Sequence, residues 1–255
     1  MNFVAAGLSD VGLQREHNED SFCILPKHSL FIVADGMGGH RAGDVASQMS
    51  TRTIESFFDA TDNEDATWPF SFDPHLSIAE NRLITSIKLA NRRIFEASVK
   101  DEEVHGMGTT VVGALFSKTA ERFYIAHVGD SRAYRVRNGE IIQITRDHSL
   151  VNDFLLVMPD MPEDQRKEIP SNVITRALGM QNSVAVDMVP DQPQVGDIYV
   201  LCSDGLNGMI TDEQIRDLVV AAENDMELTV RSLCDAANDH GGEDNVTVVA
   251  MLCTP

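Results

Sequence analysis

Apolar positions along the chain change period several times, and each change marks an element. Phe3 to Ser9 reads as a first strand. Ser21 to Leu25 and Leu30 to Ala34 are two further β-rich runs around Pro26-Lys27-His28, the pattern of a hairpin. Pairing those runs places Asp20 and Asp35 at neighbouring ends of antiparallel strands, with the polar stretch Gly12 to Asp20 as the loop leading in. The period then becomes helical. Val45, Ala46, Met49, Ile54, Phe57 and Phe58 mark a helix over Asp44 to Phe58, and an acidic, turn-rich surface loop follows from Asp59 to Pro74. From His75 on, Leu76, Ala79, Leu83, Ile84, Ile87, Ala90, Ile94 and Phe95 keep one apolar face for about five turns.

Strand character returns over Thr109 to Phe116, Arg122 to Val128, Ser131 to Val136 and Glu140 to Ile144, with Asn138-Gly139 as a hairpin turn. Asp147 to Pro170 is charged and proline-bearing, with one apolar patch from Phe154 to Met158. It predicts a short helix and loop over the sheet, the patch being either a contact surface or packing. Strands follow at Val184 to Val189 and Asp197 to Cys202. Thr211 and Gln214 form a capping box that opens a helix, a second helix covers Glu227 to Asp239, and Asn245 to Leu252 closes the chain as a strand. Strands seldom alternate singly with helices, which argues against a parallel doubly wound sheet. The pattern predicts an α+β fold of two stacked antiparallel sheets with helix pairs outside. No repeat or linker divides residues 1–255, so one domain is expected.

Charge narrows the function. With 20 Lys+Arg against 40 Asp+Glu, the chain carries a net charge of −20 over 255 residues, which disfavours nucleic acid and anionic membranes as partners. The same excess can serve hard divalent cations where acids gather. Cys23, Cys202, Cys234 and Cys253 form no Cys-x-x-Cys pair and read as reduced thiols rather than zinc ligands or disulfides. No apolar run has membrane-spanning length and the N-terminus lacks a signal-peptide core, so a cytoplasmic location is expected.

Five turns share one format. Glu19-Asp20, Asp35-Gly36, Gly129-Asp130, Asp204-Gly205 and Glu243-Asp244 each put a carboxylate where an apolar strand meets a glycine or a loop. One such Asp-Gly is usually only a turn. Brought together at one edge of a sandwich, the carboxylates would repel until protonated or neutralised by cations. An oxygen-only donor set points to Mg2+ or Mn2+, the ions of phosphate chemistry. Gly36 would let its carbonyl approach such an ion.

These segments carry a family resemblance. Arg15-Glu16-His17-Asn18-Glu19-Asp20, Val33-Ala34-Asp35-Gly36-Met37-Gly38-Gly39, Gly108-Thr109-Thr110, Val128-Gly129-Asp130-Ser131-Arg132, Ile174-Thr175-Arg176-Ala177-Leu178-Gly179, Leu201-Cys202-Ser203-Asp204-Gly205-Leu206 and Gly242-Glu243-Asp244-Asn245-Val246-Thr247 occur in the order found in metal-dependent Ser/Thr protein phosphatases of type 2C. The chain resembles the compact bacterial form of that family. The resemblance implies a four-layer α-β-β-α sandwich and direct hydrolysis of phosphoserine and phosphothreonine by a water bridging two Mn2+ or Mg2+ ions. It implies that Asp35 bridges both metals and that Gly36 gives one of them its carbonyl. Asp204 and Asp244 would complete the other metal's shell, while Glu19 and Asp20 would act mostly through water. Asp130 with Asp204 matches a third site, and Arg15 would hold the substrate phosphate.

Eukaryotic members commonly place histidine directly after the Asp-Gly, where this chain has Met37. His40 is then the candidate general acid, the alternative being that water supplies the proton and His40 shapes the loop. His17 and His148 are expected to be structural or surface residues. Residues 147–170 would form the family's flap beside the site. The expected partners are phosphorylated substrates of a Ser/Thr kinase, met by a monomer. Two other readings stand beside this one: a phosphatase-like binding or sensing module without activity, and a hydrolase of small phosphate esters.

Overall fold

A computed structural model describes residues 1–38, 42–62, 68–170 and 173–255. In chain order the elements begin with β1 (Asn2–Asp10), β2 (Asp20–Leu25), β3 (Leu30–Met37), α1 (Ala42–Ala60) and α2 (Ile78–Lys100). β4 (Gly108–Thr109), β5 (Val111–Ser117), β6 (Arg122–Val128), β7 (Arg132–Arg137) and β8 (Glu140–Gln143) form the antiparallel middle. Short helices α3 (Leu150–Val157) and α4 (Glu163–Lys167) precede β9 (Asp187–Asp191) and β10 (Ile198–Cys202). The chain ends with α5 (Asp204–Asn207), α6 (Asp212–Ala221), α7 (Met226–Asp239) and β11 (Val246–Thr254). One sheet runs β1-β11-β10-β7-β8, and the other runs β2-β3-β5-β6-β9 with β4 alongside β3. Every pairing is antiparallel.

The period-two geometry of a strand explains the layers. In β3, Phe31 and Val33 face the other sheet and meet Tyr199, Leu201, Val249 and Met251 in the central core. Leu30 and Ile32 point the other way, onto Ile54 and Phe58 of α1 and Leu83 and Ile87 of α2. The opposite sheet repeats the scheme, with Val200, Cys202 and Val248 packed under Ile215 of α6 and Leu233 of α7. A strand buried on both faces needs apolar residues at consecutive positions, which is why Leu30 to Ala34 shows no alternation. The expected four-layer α-β-β-α sandwich is the observed fold.

The two helix pairs begin as capping chemistry dictates. The Thr211–Gln214 capping box opens α6, and Ser77 with Glu80 forms a second box that starts α2 at Ile78, later than the apolar spacing from His75 implied. The Asn138-Gly139 turn has φ of 53° and 78°, the left-handed pair that a two-residue hairpin requires.

One expectation is corrected, and an alternative left open is decided. The strand read over Val184 to Val189 begins at Asp187, where it pairs with His127. Val184 and Val186 are apolar because they pack, partly buried, against the α1–α2 core. Ser203-Asp204-Gly205 turns directly into α5. Helix α3 buries none of its residues, so the Phe154 to Met158 patch is no packing element; Val157 is 81% exposed. Among the described residues no helix is long and apolar enough to cross a membrane, and the four cysteines are free, all but half-buried Cys23 being buried.

Candidate metal and active site

The hairpin β2–β3 sets the first two acids. Its register pairs Asp20 directly with Asp35. The backbone of Asp35 is clamped on both sides: its carbonyl accepts from the Thr110 amide at 2.8 Å and the Thr109 hydroxyl at 2.8 Å, and its amide donates to Thr110 Oγ1 at 3.1 Å. Asp130 follows β6 in the same sheet. The other sheet delivers Asp204 at the end of β10 and Asp244 just before β11. Asn245 ties the sheets together, its Oδ1 accepting from the Glu19 amide at 2.7 Å and its Nδ2 donating to Val11 O and His17 O. Ser203 makes a second tie: its hydroxyl donates to Asp20 Oδ2 at 2.7 Å and accepts from the Thr247 amide at 2.9 Å.

Two glycines open the space beneath these acids. A Cβ on Gly36 would lie 2.2 Å from Gly43 O and 2.5 Å from Glu19 O, and one on Gly43 would lie 2.5 Å from Glu19 Oε2. Any side chain at either position would displace Glu19.

Crowding shows in the protonation of the acids. Burial, with Asp204 and Asp244 adding repulsion, pushes Asp20 up to about 7 even though Ser203 and Thr247 hydrogen-bond to it. Asp130 is pushed up to about 7 by burial and then by Asp204. Asp35 stands well above the ordinary carboxylate range, from burial and from Asp20, Asp204, Asp130 and Asp244 together. Asp204 is raised by burial and Asp244, and Glu19 chiefly by burial. Arg15 and Arg132 offset part of this repulsion, Arg15 through a 2.6 Å bond from Nη2 to Asp244 Oδ2 and Arg132 by its charge near Asp130 and Asp204. Asp130 Oδ1 is buried without any hydrogen-bond partner. Six acids from both sheets, an unpartnered carboxylate oxygen and an all-oxygen donor set fit hard divalent cations, which would take the place of the shared protons. A cavity of about 420 Å3 lies against Asp130, Asp204 and Asp244, with Arg132 and Asp147 on its far wall.

The structure thus brings together Glu19, Asp20, Asp35, Gly36, Asp130, Asp204 and Asp244. Arg15 joins them by its bond to Asp244 rather than standing free. His40 lies outside the described residues, and His17 is exposed on the β1–β2 loop. Ser203, Asn245, Thr247 and Thr110 stand inside the quoted motifs with no role evident from residue order, and Gly43 lies outside them. A short polar side chain beside four of the acids, Ser21 after Asp20, Ser131 after Asp130, Ser203 before Asp204 and Asn245 after Asp244, was the available signal. Replacing Ser203 by Ala is expected to cost about 1–3 kcal/mol by leaving buried partners unmet. It is also expected to weaken Mn2+ binding about 10- to 100-fold, as loss of a group that orients a ligand does. Urea unfolding and titration calorimetry read the two effects separately.

A second polar cluster, buried His127 and His148 with Asp187, sits within 4.8 Å but is not built for a metal. His127 Nε2 donates to Arg146 O at 2.8 Å. His148 Nδ1 accepts from the Gly129 amide at 3.0 Å, so its proton sits on Nε2, 3.2 Å from Asp187 Oδ2. A metal on that nitrogen would require an imidazolate. The rings also stack at 4.7 Å and 12°, so their in-plane lone pairs run parallel instead of converging. Burial lowers the pKa of both imidazoles, which stay neutral. The work of His148 is to hold Gly129, φ 111°, immediately before Asp130.

The chain is similar to known proteins over most of its length. Residues 14–240 match the family model for protein phosphatase 2C. The serine/threonine phosphatase Stp of Listeria welshimeri is 35% identical over 251 residues, covering 95% of this chain and 93% of Stp. The protein phosphatase PhpP of Streptococcus pneumoniae is 35% identical over 255 residues, covering 96% of this chain and 95% of PhpP. The catalytic domain of the serine/threonine phosphatase PstP, solved in complex with two manganese ions, superposes with a TM-score of 0.80 at 31% identity, over 99% of both chains. The chain therefore belongs to the protein phosphatase 2C family, the metal-dependent serine/threonine protein phosphatases.

Proposed function

We propose that this edge of the sandwich hydrolyses phosphoserine and phosphothreonine in proteins with two Mn2+ or Mg2+ ions, and a third more weakly held. Asp35 would be held in common by two ions, with Gly36 offering its carbonyl to one. Asp204 and Asp244 would hold the other, and Glu19 and Asp20 would act mostly through water. Asp130 with Asp204 would provide the third position. Bound there, divalent cations supply acidified water and neutralise charge on the phosphoryl oxygens. The chain's own residues do the rest. Arg15, whose guanidinium now rests on Asp244, would hold the phosphoryl group with its fork. Ser203 and the Thr247 amide keep Asp20 aimed, and the Thr109–Thr110 clamp keeps Asp35 from moving away as charge builds. His40 is the candidate donor of a proton to the leaving alkoxide.

The observation that carries this reading is the convergence of Asp20, Asp35, Asp130, Asp204 and Asp244 from two sheets onto one edge, with carboxyls held above their ordinary range. We take residues 1–255 as one catalytic domain with 147–170 as its flap, acting in the cytoplasm as a monomer and opposing a Ser/Thr kinase. The test is release of phosphate from a phosphothreonine peptide, compared with nucleotide and sugar phosphates. Turnover with Mn2+ that stops in chelator is expected. Binding of the peptide without turnover would turn the reading into that of a sensing module, and a preference for the small esters would replace the substrate class.

A further inference from the structure

The segment after β8 carries a basic feature that the metal site does not use. Arg146, in the connection from β8 to α3, and Arg166, on α4, line a cavity of about 370 Å3 together with Arg132, Gln143, Asp147 and Asn152. This cavity shares Arg132, Asp147 and Ser149 with the one against Asp130, Asp204 and Asp244, so the two adjoin along that wall.

Counting charge around the cavity shows which groups are already spent. Arg132 is tied to Asp147 through Nε, at 3.0 Å from Oδ1, and through Nη2, at 2.7 Å from Oδ2. Gln143 Nε2 donates to the same Asp147 Oδ1 at 2.9 Å. Asp147 is therefore saturated and cancels Arg132. Arg146 gives one Nη2 bond to Asn152 O at 2.5 Å and has no carboxylate partner among the described residues. Arg166 makes no bond to Asp147, the one carboxylate that lines this cavity among the described residues. Two guanidiniums thus remain as the net charge of this wall, in a chain whose overall charge is −20. A polar cavity with two guanidiniums beyond the Arg132–Asp147 pair suits a phosphoryl or carboxylate group, with which a guanidinium forms charge-assisted hydrogen bonds.

We propose that the Arg146–Arg166 cavity binds a second anionic group of the phosphoprotein substrate, a phosphoryl or carboxylate group carried on the same chain as the phosphate being removed. The inference deepens the function proposed above and rests on it. The acidic cleft repels an anionic peptide as a whole, and this wall offsets that repulsion on one side, which orients the peptide as it enters.

The experiment is steady-state kinetics with Mn2+ on three sets of phosphothreonine peptides. In one the flanks are neutral, in one Asp is placed at successive positions on either side, and in one a second phosphothreonine is placed there. For the wild-type chain, a favourable position is expected to lower KM about 10-fold relative to the neutral peptide, equivalent to one charge-assisted pair. That advantage is expected to shrink on adding salt, to vanish in Arg146→Ala/Arg166→Ala, and to survive in Arg166→Lys. Because Arg146→Ala also removes the bond to Asn152, Arg166→Glu is the independent variant: it leaves Arg146 in place and is expected to turn the preference into a penalty.

A gain from both Asp and phosphothreonine supports a general anion site, and a gain from phosphothreonine alone supports a phosphoryl site. A wild-type enzyme indifferent to the second anion, or a preference that persists in the double variant, overturns the proposal. Were no peptide hydrolysed, the proposed function would fall, while calorimetric affinities for the same peptides would still decide whether Arg146 and Arg166 recognise the second anion.

Discussion

Asp35→Asn is expected to lower kcat/KM for a phosphothreonine peptide by about 10^3-fold or more while making the metal-free protein more stable than the wild type. The two effects have one origin. Asp35 is opposed to Asp20 in the β2–β3 register and repelled by Asp20, Asp204, Asp130 and Asp244. Its carboxylate exists there at a cost that a bound cation offsets and that chelator exposes. An amide has nearly the same shape, can hydrogen-bond to Asp204, and carries no charge to be repelled. It cannot serve as an anionic ligand shared by two ions. Peptide kinetics in Mn2+ and thermal unfolding in chelator should therefore move in opposite directions. A variant that lost activity and also melted earlier in chelator would mean that Asp35 is structural, and the metal assignment at the centre of the site would have to be abandoned.

Stability in chelator is expected to fall as pH rises from about 4 to about 7, and added Mn2+ to remove that dependence. Asp20 and Asp130 have folded-state values of about 7 against an ordinary 3.8. Through that window the folded chain binds more protons than the unfolded chain, so the derivative of unfolding free energy with pH is negative. The contribution is complete below the unfolded value and is lost as pH passes the folded one. Two acids protonated only in the folded chain give a slope of roughly 2–3 kcal/mol per pH unit in the middle of that window. A bound cation keeps these carboxylates ionised at every pH in the window, so the stabilisation by Mn2+ should grow toward neutral pH. Urea unfolding at stepped pH, with chelator and with Mn2+, measures both slopes. Parallel curves would show that the raised acids are not where the cation binds.

Much of this architecture was open to reading from residue order. Leu30 to Ala34 as a strand, Asn138-Gly139 as a turn, Thr211-Gln214 as a helix start and the apolar face of α2 are local statements. Local sterics, capping and periodicity decide them. The opposition of Asp20 and Asp35 was also legible, because a tight connection at Pro26-Lys27-His28 leaves a hairpin one register. The reading failed where apolar residues do something other than pair or pack in regular elements. Val184 and Val186 are buried by the helices beside them, not by a strand ladder. Phe154 to Met158 looked equally like packing and contact surface, since an apolar run does not say what lies next to it.

What the sequence by itself determined is the chemical inventory: six acids at strand ends, glycines beside them, one arginine ahead of them, and no competing set of soft ligands. These follow from residue type and neighbour, and they survive any rearrangement of the chain. Tertiary structure alone decided how the inventory works. Ser203 reaches Asp20 across 183 residues and Asn245 reaches Glu19 across 226, and nothing local in either segment announces the partner. The raised pKa values belong to the assembly as well, because burial and repulsion exist only once two sheets have met at one edge. Arg15, legible as a phosphate ligand, rests on Asp244, and Arg146 and Arg166 become a charged wall only because folding has already joined Asp147 to Arg132. Residue chemistry is carried by the chain, whereas distance, desolvation and the pairing of charges are properties of the fold.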